Sequence, residues 1–168
     1  DVYYNSIAFS VDGKYLVVGS DDNNIKIYDT SNWKIVYSVK TPEASVTSIN
    51  VSKDGKYIFS GDTNKNIKVW RTSDLKLLKN FKASGIVNAL DSTNDSSYLI
   101  SAGTDKSIKI WKNNSLSNLL SKTYHDEAIN NVVYSPDQKY IVSVGEDPFI
   151  ILNNSENLAL EIKIPDDS

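Results

Sequence analysis

The stretch SKDGKYIFSGDTNKNIKVWRT, running from Ser52 to Thr72, decides the fold of this chain. It holds two short β-branched and aromatic runs, YIFS and IKVW, each preceded by polar turn residues. Asp54-Gly55 signals a tight hairpin, because Asp caps its own backbone and Gly accepts a left-handed φ. Working outward, residues 46–52 alternate apolar and polar, and residues 75–81 do so again after Thr72-Ser73-Asp74. The spacing predicts strands over 46–52, 57–60, 67–71 and 75–81, with turns every 8 to 12 residues. No helical period runs through any window.

The same pattern returns three more times: SVDGKYLVVGSDDNNIKIYDT from Ser10, STNDSSYLISAGTDKSIKIWKN from Ser92, and SPDQKYIVSVGEDPFIILNN from Ser135. Tyr15, Tyr57, Tyr98 and Tyr140 are spaced 42, 41 and 42 apart, and Ile25, Ile67, Ile108 and Ile150 repeat that spacing. A period near 40 with four strands per unit is the mark of a propeller blade. The expected fold is all-β, a β-propeller of four-stranded antiparallel blades spanning residues 1–168. The blades fall at approximately 3–41, 42–82, 83–124 and 125–165.

The S-x-D-G-K-Y-φ-x-S-G stretch, the Asp-bearing turn and the closing I-K-φ-W resemble the WD40-repeat family over nearly the whole chain. The eponymous Trp-Asp pair is degraded to Tyr28-Asp29, Trp70-Arg71, Trp111-Lys112 and Asn153-Asn154. The resemblance implies a hydrogen-bonded His, Ser or Thr, Asp and Trp within each blade. The third unit matches at Ser101, Asp105 and Trp111, with Lys82 at the His place. The fourth matches at His125, Ser143 and Asp147, with Asn153 at the Trp place. The second keeps Ser60 and Trp70, with Pro42 and Asn64 in the other places. The first keeps Asp22, with Val18 and Tyr28. No set is complete, so apolar packing between sheets is expected to hold the blades more than this network does.

Composition narrows the function. The net charge is −3, and Arg71 is the one arginine among 18 basic residues, so a dense phosphate-binding or guanine-reading surface is disfavoured. With no cysteine there are no disulfides, thiolate nucleophiles or cysteine metal sites, and an intracellular, cytoplasmic location is expected. No apolar run reaches the length of a membrane helix. The chain begins at Asp1 and has no methionine, so it is expected to be a piece of something longer. A seven-bladed ring at about 42 residues per blade needs about 290 residues. The missing blades would come from the rest of a longer chain, from a second copy, or not at all if four blades close alone.

No catalytic, cofactor-binding or metal site is expected. His125 is the single histidine, and one imidazole does not make a metal site. Asp21-Asp22-Asn23-Asn24 lacks the glycine and terminal glutamate of a calcium loop and reads as a hairpin turn. There is no phosphate loop and no G-x-S-x-G elbow. Trp33 has no tryptophan counterpart in the other units, and reads equally as an exposed anchor or the start of an outer strand.

The resemblance implies a binding face around the strand ends that ring the channel. There it places Asp21, Thr63, Thr104 and Glu146 before each turn Asp, and Asn5, Thr47, Val87 and Asn130 early in each inner strand. This set is polar and slightly acidic, which suits a short peptide bearing Lys or Arg. The expected function is a non-catalytic scaffold or adaptor for other proteins. A regulatory propeller of a larger enzyme, and a propeller hydrolase using channel carboxylates, stay open as alternatives.

Overall fold

The computed structural model describes residues 1–41, 44–113, 115 and 117–165. Each repeat forms one antiparallel sheet of four six-residue strands. The first holds β1 (Tyr4–Phe9), β2 (Tyr15–Ser20), β3 (Asn24–Asp29) and β4 (Ile35–Lys40). The second holds β5 (Val46–Val51), β6 (Tyr57–Asp62), β7 (Asn66–Arg71) and β8 (Leu77–Lys82). The third holds β9 (Val87–Ser92), β10 (Tyr98–Gly103), β11 (Ser107–Lys112) and β12 (Asn118–Thr123). The fourth holds β13 (Ile129–Tyr134), β14 (Tyr140–Gly145), β15 (Phe149–Asn154) and β16 (Leu160–Pro165). Strands pair in chain order within every sheet.

The S-x-D-x-x-Y signature is a turn clamp. In the first sheet Ser10 Oγ donates to Asp12 Oδ1 at 2.7 Å, Asp12 accepts the Lys14 amide, and the Tyr15 amide donates back to Ser10 Oγ. Ser52 with Asp54, Thr93 with Asp95, and Ser135 with Asp137 repeat it. The clamp holds one residue in the left-handed region: Gly13 at φ 70° and Gly55 at φ 71°, where glycine has no Cβ penalty, but also Ser96 and Gln138. The hydroxyl and amide donors hold the carboxyls of Asp12, Asp95 and Asp137 below their ordinary range.

Strand edges differ from the sequence expectation in one instructive place. The fourth strand of the second repeat begins at Leu77, because Leu75 sits in the preceding turn at φ 52° and is buried there. Trp33 and Leu158 occupy the same turn position at φ 58° and 56°. Trp33 therefore precedes the outer strand rather than starting it, and its side chain is exposed.

The chain divides into two compact units, Asp1–Val87 and Asn88–Ser168. In the first, Val17, Ile25 and Ile27 pack against Val46, Ile49, Ile58 and Leu75 of the next sheet. The approach is close at Gly19, where an added Cβ would stand 2.4 Å from Val46 Cγ1. In the second unit, Ile100, Ile108 and Ile110 pack against Ile129, Val132, Ile141 and Leu158. Burial of these aliphatic side chains is the main favourable contribution, about 1.5–3 kcal/mol for each one fully buried.

Candidate functional site

Two constellations compete for the polar residues of each sheet: an internal network and the exposed strand ends.

The network is present in altered form. Trp70 Nε1 donates to Ser60 Oγ, and Trp111 Nε1 to Ser101 Oγ, both at 2.8 Å and buried. In the fourth sheet His125 Nδ1 donates to Asp147 Oδ1 at 2.8 Å, and Nε2 lies 2.8 Å from Ser143 Oγ. Burial opposes ionisation of Asp147, but the His125 hydrogen bond and the backbone amide of Asp126 outweigh it and hold its carboxyl below the usual range. Asn153, at the Trp place, is fully buried, and its Oδ1 has no hydrogen-bond partner among the described residues.

Lysines complete the other three sheets. Lys26 Nζ donates to Asp22 Oδ2 at 3.1 Å, Lys68 Nζ to Asp62 Oδ2 at 2.7 Å, and Lys109 Nζ to Asp105 Oδ2. All three amines are largely buried, with side chains 16%, 5% and 8% exposed, which lysine tolerates only when paired. The fourth sheet has Ile151 at this position and is the one that keeps a histidine. Lysine and histidine thus exchange as the side-chain donor to the turn carboxylate. Three of the sheets thus bind the turn carboxylate with a lysine donor and the fourth with its histidine.

Asp62 and the three lysines were missed by motif matching. In the second sheet the carboxylate moved two residues upstream of Asn64, into the last position of β6. The three lysines share one column, the I-K-φ of the third strand in the first three repeats. Lys82 does not take the His place either: it ends β8 and donates to the Asn64 carbonyl at 2.9 Å. Pro42 lies outside the described residues.

The strand-end residues divide by role. In the first unit Asn5 Nδ2 donates to the Val46 carbonyl at 3.0 Å and Thr47 Oγ1 to the Val87 carbonyl at 2.5 Å, so both tie one sheet to the next strand. Val87 is buried; the repeat counterpart of Asn5 and Thr47 is Asn88, which donates to the Ile129 carbonyl at 2.9 Å. Asp21 Oδ1 accepts the Tyr3 amide at 2.8 Å, and Ser45 Oγ donates to the Asp21 carbonyl, on the same sheet end as exposed Thr63. In the second unit Thr104, Asn130 and Glu146 are exposed, with the Glu146 amide bound to the Ala128 carbonyl.

Among the described residues no three His, Cys, Asp or Glu side chains converge as a metal site. Among the same residues no helix is long and apolar enough to cross a membrane.

Comparison with known proteins fixes the architecture. The chain matches the family described as "Cytochrome D1 heme domain" over residues 1–157. The solved structure of U3-55K, a WD40 propeller, superposes with a TM-score of 0.87 at 19% identity, covering 96% of this chain and 51% of that one. At that identity the likeness shows the fold alone. The general transcriptional corepressor TUP1 of Saccharomyces cerevisiae is 40% identical over 50 residues, which is 30% of this chain and 7% of that protein. The chain therefore spans about half the length of the solved propeller it matches and a small part of the curated relative. The fold is a β-propeller of WD40-type repeats.

A heme implied by that family description does not fit these residues. Heme iron takes His, Cys, Met or Tyr as an axial ligand. The chain has no Cys or Met, and both ring nitrogens of its one buried His are engaged by Asp147 and Ser143. A hollow of about 580 Å³ in the second unit is lined by Asp95, Glu156 and Tyr134 and by no basic side chain to meet heme carboxylates. Burial pushes the Tyr134 phenol up, against the phenolate that would bind iron. No chemistry is derived through a heme.

Proposed function

The chain belongs to the family described as "Cytochrome D1 heme domain", and from that premise we propose that it works as a non-catalytic scaffold or adaptor holding other proteins or short peptides. The observation that carries this reading is where the reactive groups go. The single histidine and the carboxylates of Asp22, Asp62, Asp105 and Asp147 are spent inside the sheets on Lys, His, Ser and Asn partners. Exposed at the mapped strand ends are Asn5, Thr63, Thr104, Asn130 and Glu146, a set suited to hydrogen bonding and weak attraction of cations rather than to proton transfer.

The ligand class is a short peptide with Lys or Arg, met by Asp21 in the first unit or Glu146 in the second. The intracellular, cytoplasmic setting rests on the absence of cysteine. The blades at 3–41, 42–82, 83–124 and 125–165 act as part of a larger ring. The net charge of −3 and the single arginine disfavour nucleic acid as the ligand.

A display library of random peptides selected on the chain tests the reading. Enriched sequences are expected to carry Lys or Arg, and Glu146→Lys with Asp21→Asn is expected to weaken them about tenfold, the effect of roughly one charged hydrogen bond. Unchanged affinity in that variant would refute the mapped face. Failure to enrich any peptide would refute peptide capture. Added heme is expected to keep the spectrum of the free pigment; a ligand-bound spectrum would overturn the non-heme reading.

A further inference from the structure

The two sheets of the second unit enclose the hollow of about 580 Å³ at the strand ends that carry the β9–β10, β13–β14 and β15–β16 turns. These are the opposite strand ends from Thr104, Asn130 and Glu146. Its walls include Tyr98, Leu119, Leu120 and Tyr134, with the carboxylates of Asp95 and Glu156 among them. Leu120 and Tyr134 rest on the aliphatic core, so the inner wall is supported from behind. The rim is tied across the two sheets, because the Asn94 amide donates to Gln138 Oε1 at 3.0 Å. The volume falls within the ~300–1,000 Å³ of small-ligand sites.

The first unit packs an equivalent pair of sheets, and position by position it lacks what makes this hollow distinctive. Tyr134 stands where the first unit has Val51, and Glu156 where it has Ser73. The turn clamp differs as well. In three clamps a lysine two residues on faces the carboxylate: Lys14 at 3.6 Å from Asp12, Lys56 at 3.5 Å from Asp54, and Lys139 at 3.7 Å from Asp137. The clamp that lines the hollow has Ser97 in that place, and Asp95 accepts from the Thr93 hydroxyl and the Ser97 amide instead. No basic side chain is among the described residues that line the hollow. Burial and the carboxylates of Asp91 and Asp95 push the Tyr134 phenol up, so the ring enters neutral. Two carboxylates and two phenol rings without a cation complement an organic cation, through charge and through the ring faces.

We propose that this hollow binds a segment of a partner protein in which an arginine or lysine stands next to a leucine or aromatic residue. The base is met by Asp95 and Glu156, and the apolar side chain by Leu119, Leu120 and Tyr134. The choice of a peptide over a free amine rests on the scaffold reading above. The position of the site does not, because it uses the other ends of the strands.

Nuclear magnetic resonance on the whole chain tests it, with leucine methyl groups and backbone amides labelled and circular dichroism to confirm that each variant is folded. The probes are capped tetrapeptides that place Arg or Lys beside Leu, Phe or Tyr, and the same peptides with citrulline or norleucine for the base. The basic peptides are expected to shift the methyl signals of Leu119 and Leu120, and the neutral ones to leave them in place. Ser97→Lys supplies the clamp lysine that the other three repeats carry, and is expected to weaken binding about tenfold, as is Glu156→Gln, the effect of roughly one charged hydrogen bond. No leucine shift with any basic peptide, equal shifts with the neutral ones, or affinity indifferent to both substitutions would overturn the site. Shifts confined to the amides of Thr104, Asn130 and Glu146 would support the strand-end face and overturn this one. Phenethylamine that shifts the two leucines as tightly as the peptides do would overturn the peptide as occupant.

Discussion

Lys68 Nζ lies 2.7 Å from Asp62 Oδ2, and the two side chains are 5% and 2% exposed. The remaining acceptor capacity of Asp62 is filled by the backbone and side-chain amides of Asn66. A charge buried this deeply persists only because it is paired and hydrogen-bonded. The pair holds the β6–β7 turn to the body of β7, in the repeat that has Pro42 and Asn64 where the resemblance would put His and Asp.

Removing one member leaves the other charge stranded. Lys68→Met is expected to cost about 3–5 kcal/mol, whereas Lys68→Met with Asp62→Leu recovers much of it, because no uncompensated charge remains. Urea unfolding of the wild type, the single variant and the pair checks this. Equal stability of wild type and Lys68→Met would show that the ion pair contributes nothing.

The exchange between lysine and histidine makes a second prediction. His125→Ala leaves Asp147 and Ser143 without their ring partner and is expected to cost about 2–3 kcal/mol. Ile151 pairs with Ser143 across β14–β15 just as Lys68 pairs with Ser60 across β6–β7 and Lys109 with Ser101 across β10–β11. Placing lysine there, as His125→Ala with Ile151→Lys, is expected to restore part of the loss. If the double variant unfolds at lower denaturant than the single one, the two donors are not interchangeable.

The strand register was legible because tyrosine and isoleucine columns recur at fixed spacing and each turn carries its own clamp. The lysine–aspartate pairs were not. In I-K-V-W a lysine between two apolar residues looks solvent-facing, and nothing local reveals that its amine curls back to a turn carboxylate. Asp62 was hidden for a further reason, since it lies outside the expected turn position and Asn64 occupies that place. Val87 was assigned where Asn88 belongs. The link from β8 to β9 has four residues, 83–86, against five, 41–45, before β5, whereas the tyrosine spacing carried forward from Thr47 reaches Asn88. Trp33 was ambiguous because its role depends on a left-handed turn, which no side-chain pattern announces.

Acid and alkali should both act on the first sheet through the Asp22–Lys26 pair, among other groups. The Ser20 hydroxyl, the Lys26 amine and the Asn24 amide hold the Asp22 carboxyl at about 2, against an ordinary value of 3.8, despite its burial. Its contribution is present above 3.8 and lost as pH falls toward 2. Lys26 is raised by Asp22, so its contribution is present below 10.5 and lost as pH climbs through the raised value. Asp22→Asn is expected to flatten both limbs of a stability–pH curve measured by chemical unfolding, although Asp12, Asp95, Asp137 and Asp147 continue to contribute on the acid side. An unaltered alkaline limb would show that Asp22 is not what raises Lys26.

The closeness of the first two sheets at Gly19 sets a limit on repeat exchange. Ala102 and Val144 occupy this column in the third and fourth sheets, so the position is not glycine by backbone need. Glycine is required by its neighbour: an added Cβ meets Val46 Cγ1 at 2.4 Å and Ile49 Cγ1 at 3.0 Å. Gly19→Val is expected to destabilise the first unit by about 1–3 kcal/mol, the usual cost of overpacking. Gly19→Val with Val46→Ala removes the colliding branch and is expected to regain part of it. Thermal unfolding of the three chains decides the matter. A Gly19→Val chain as stable as wild type would mean that the sheets separate readily at this point, and that Asn5, not apolar contact, sets their spacing.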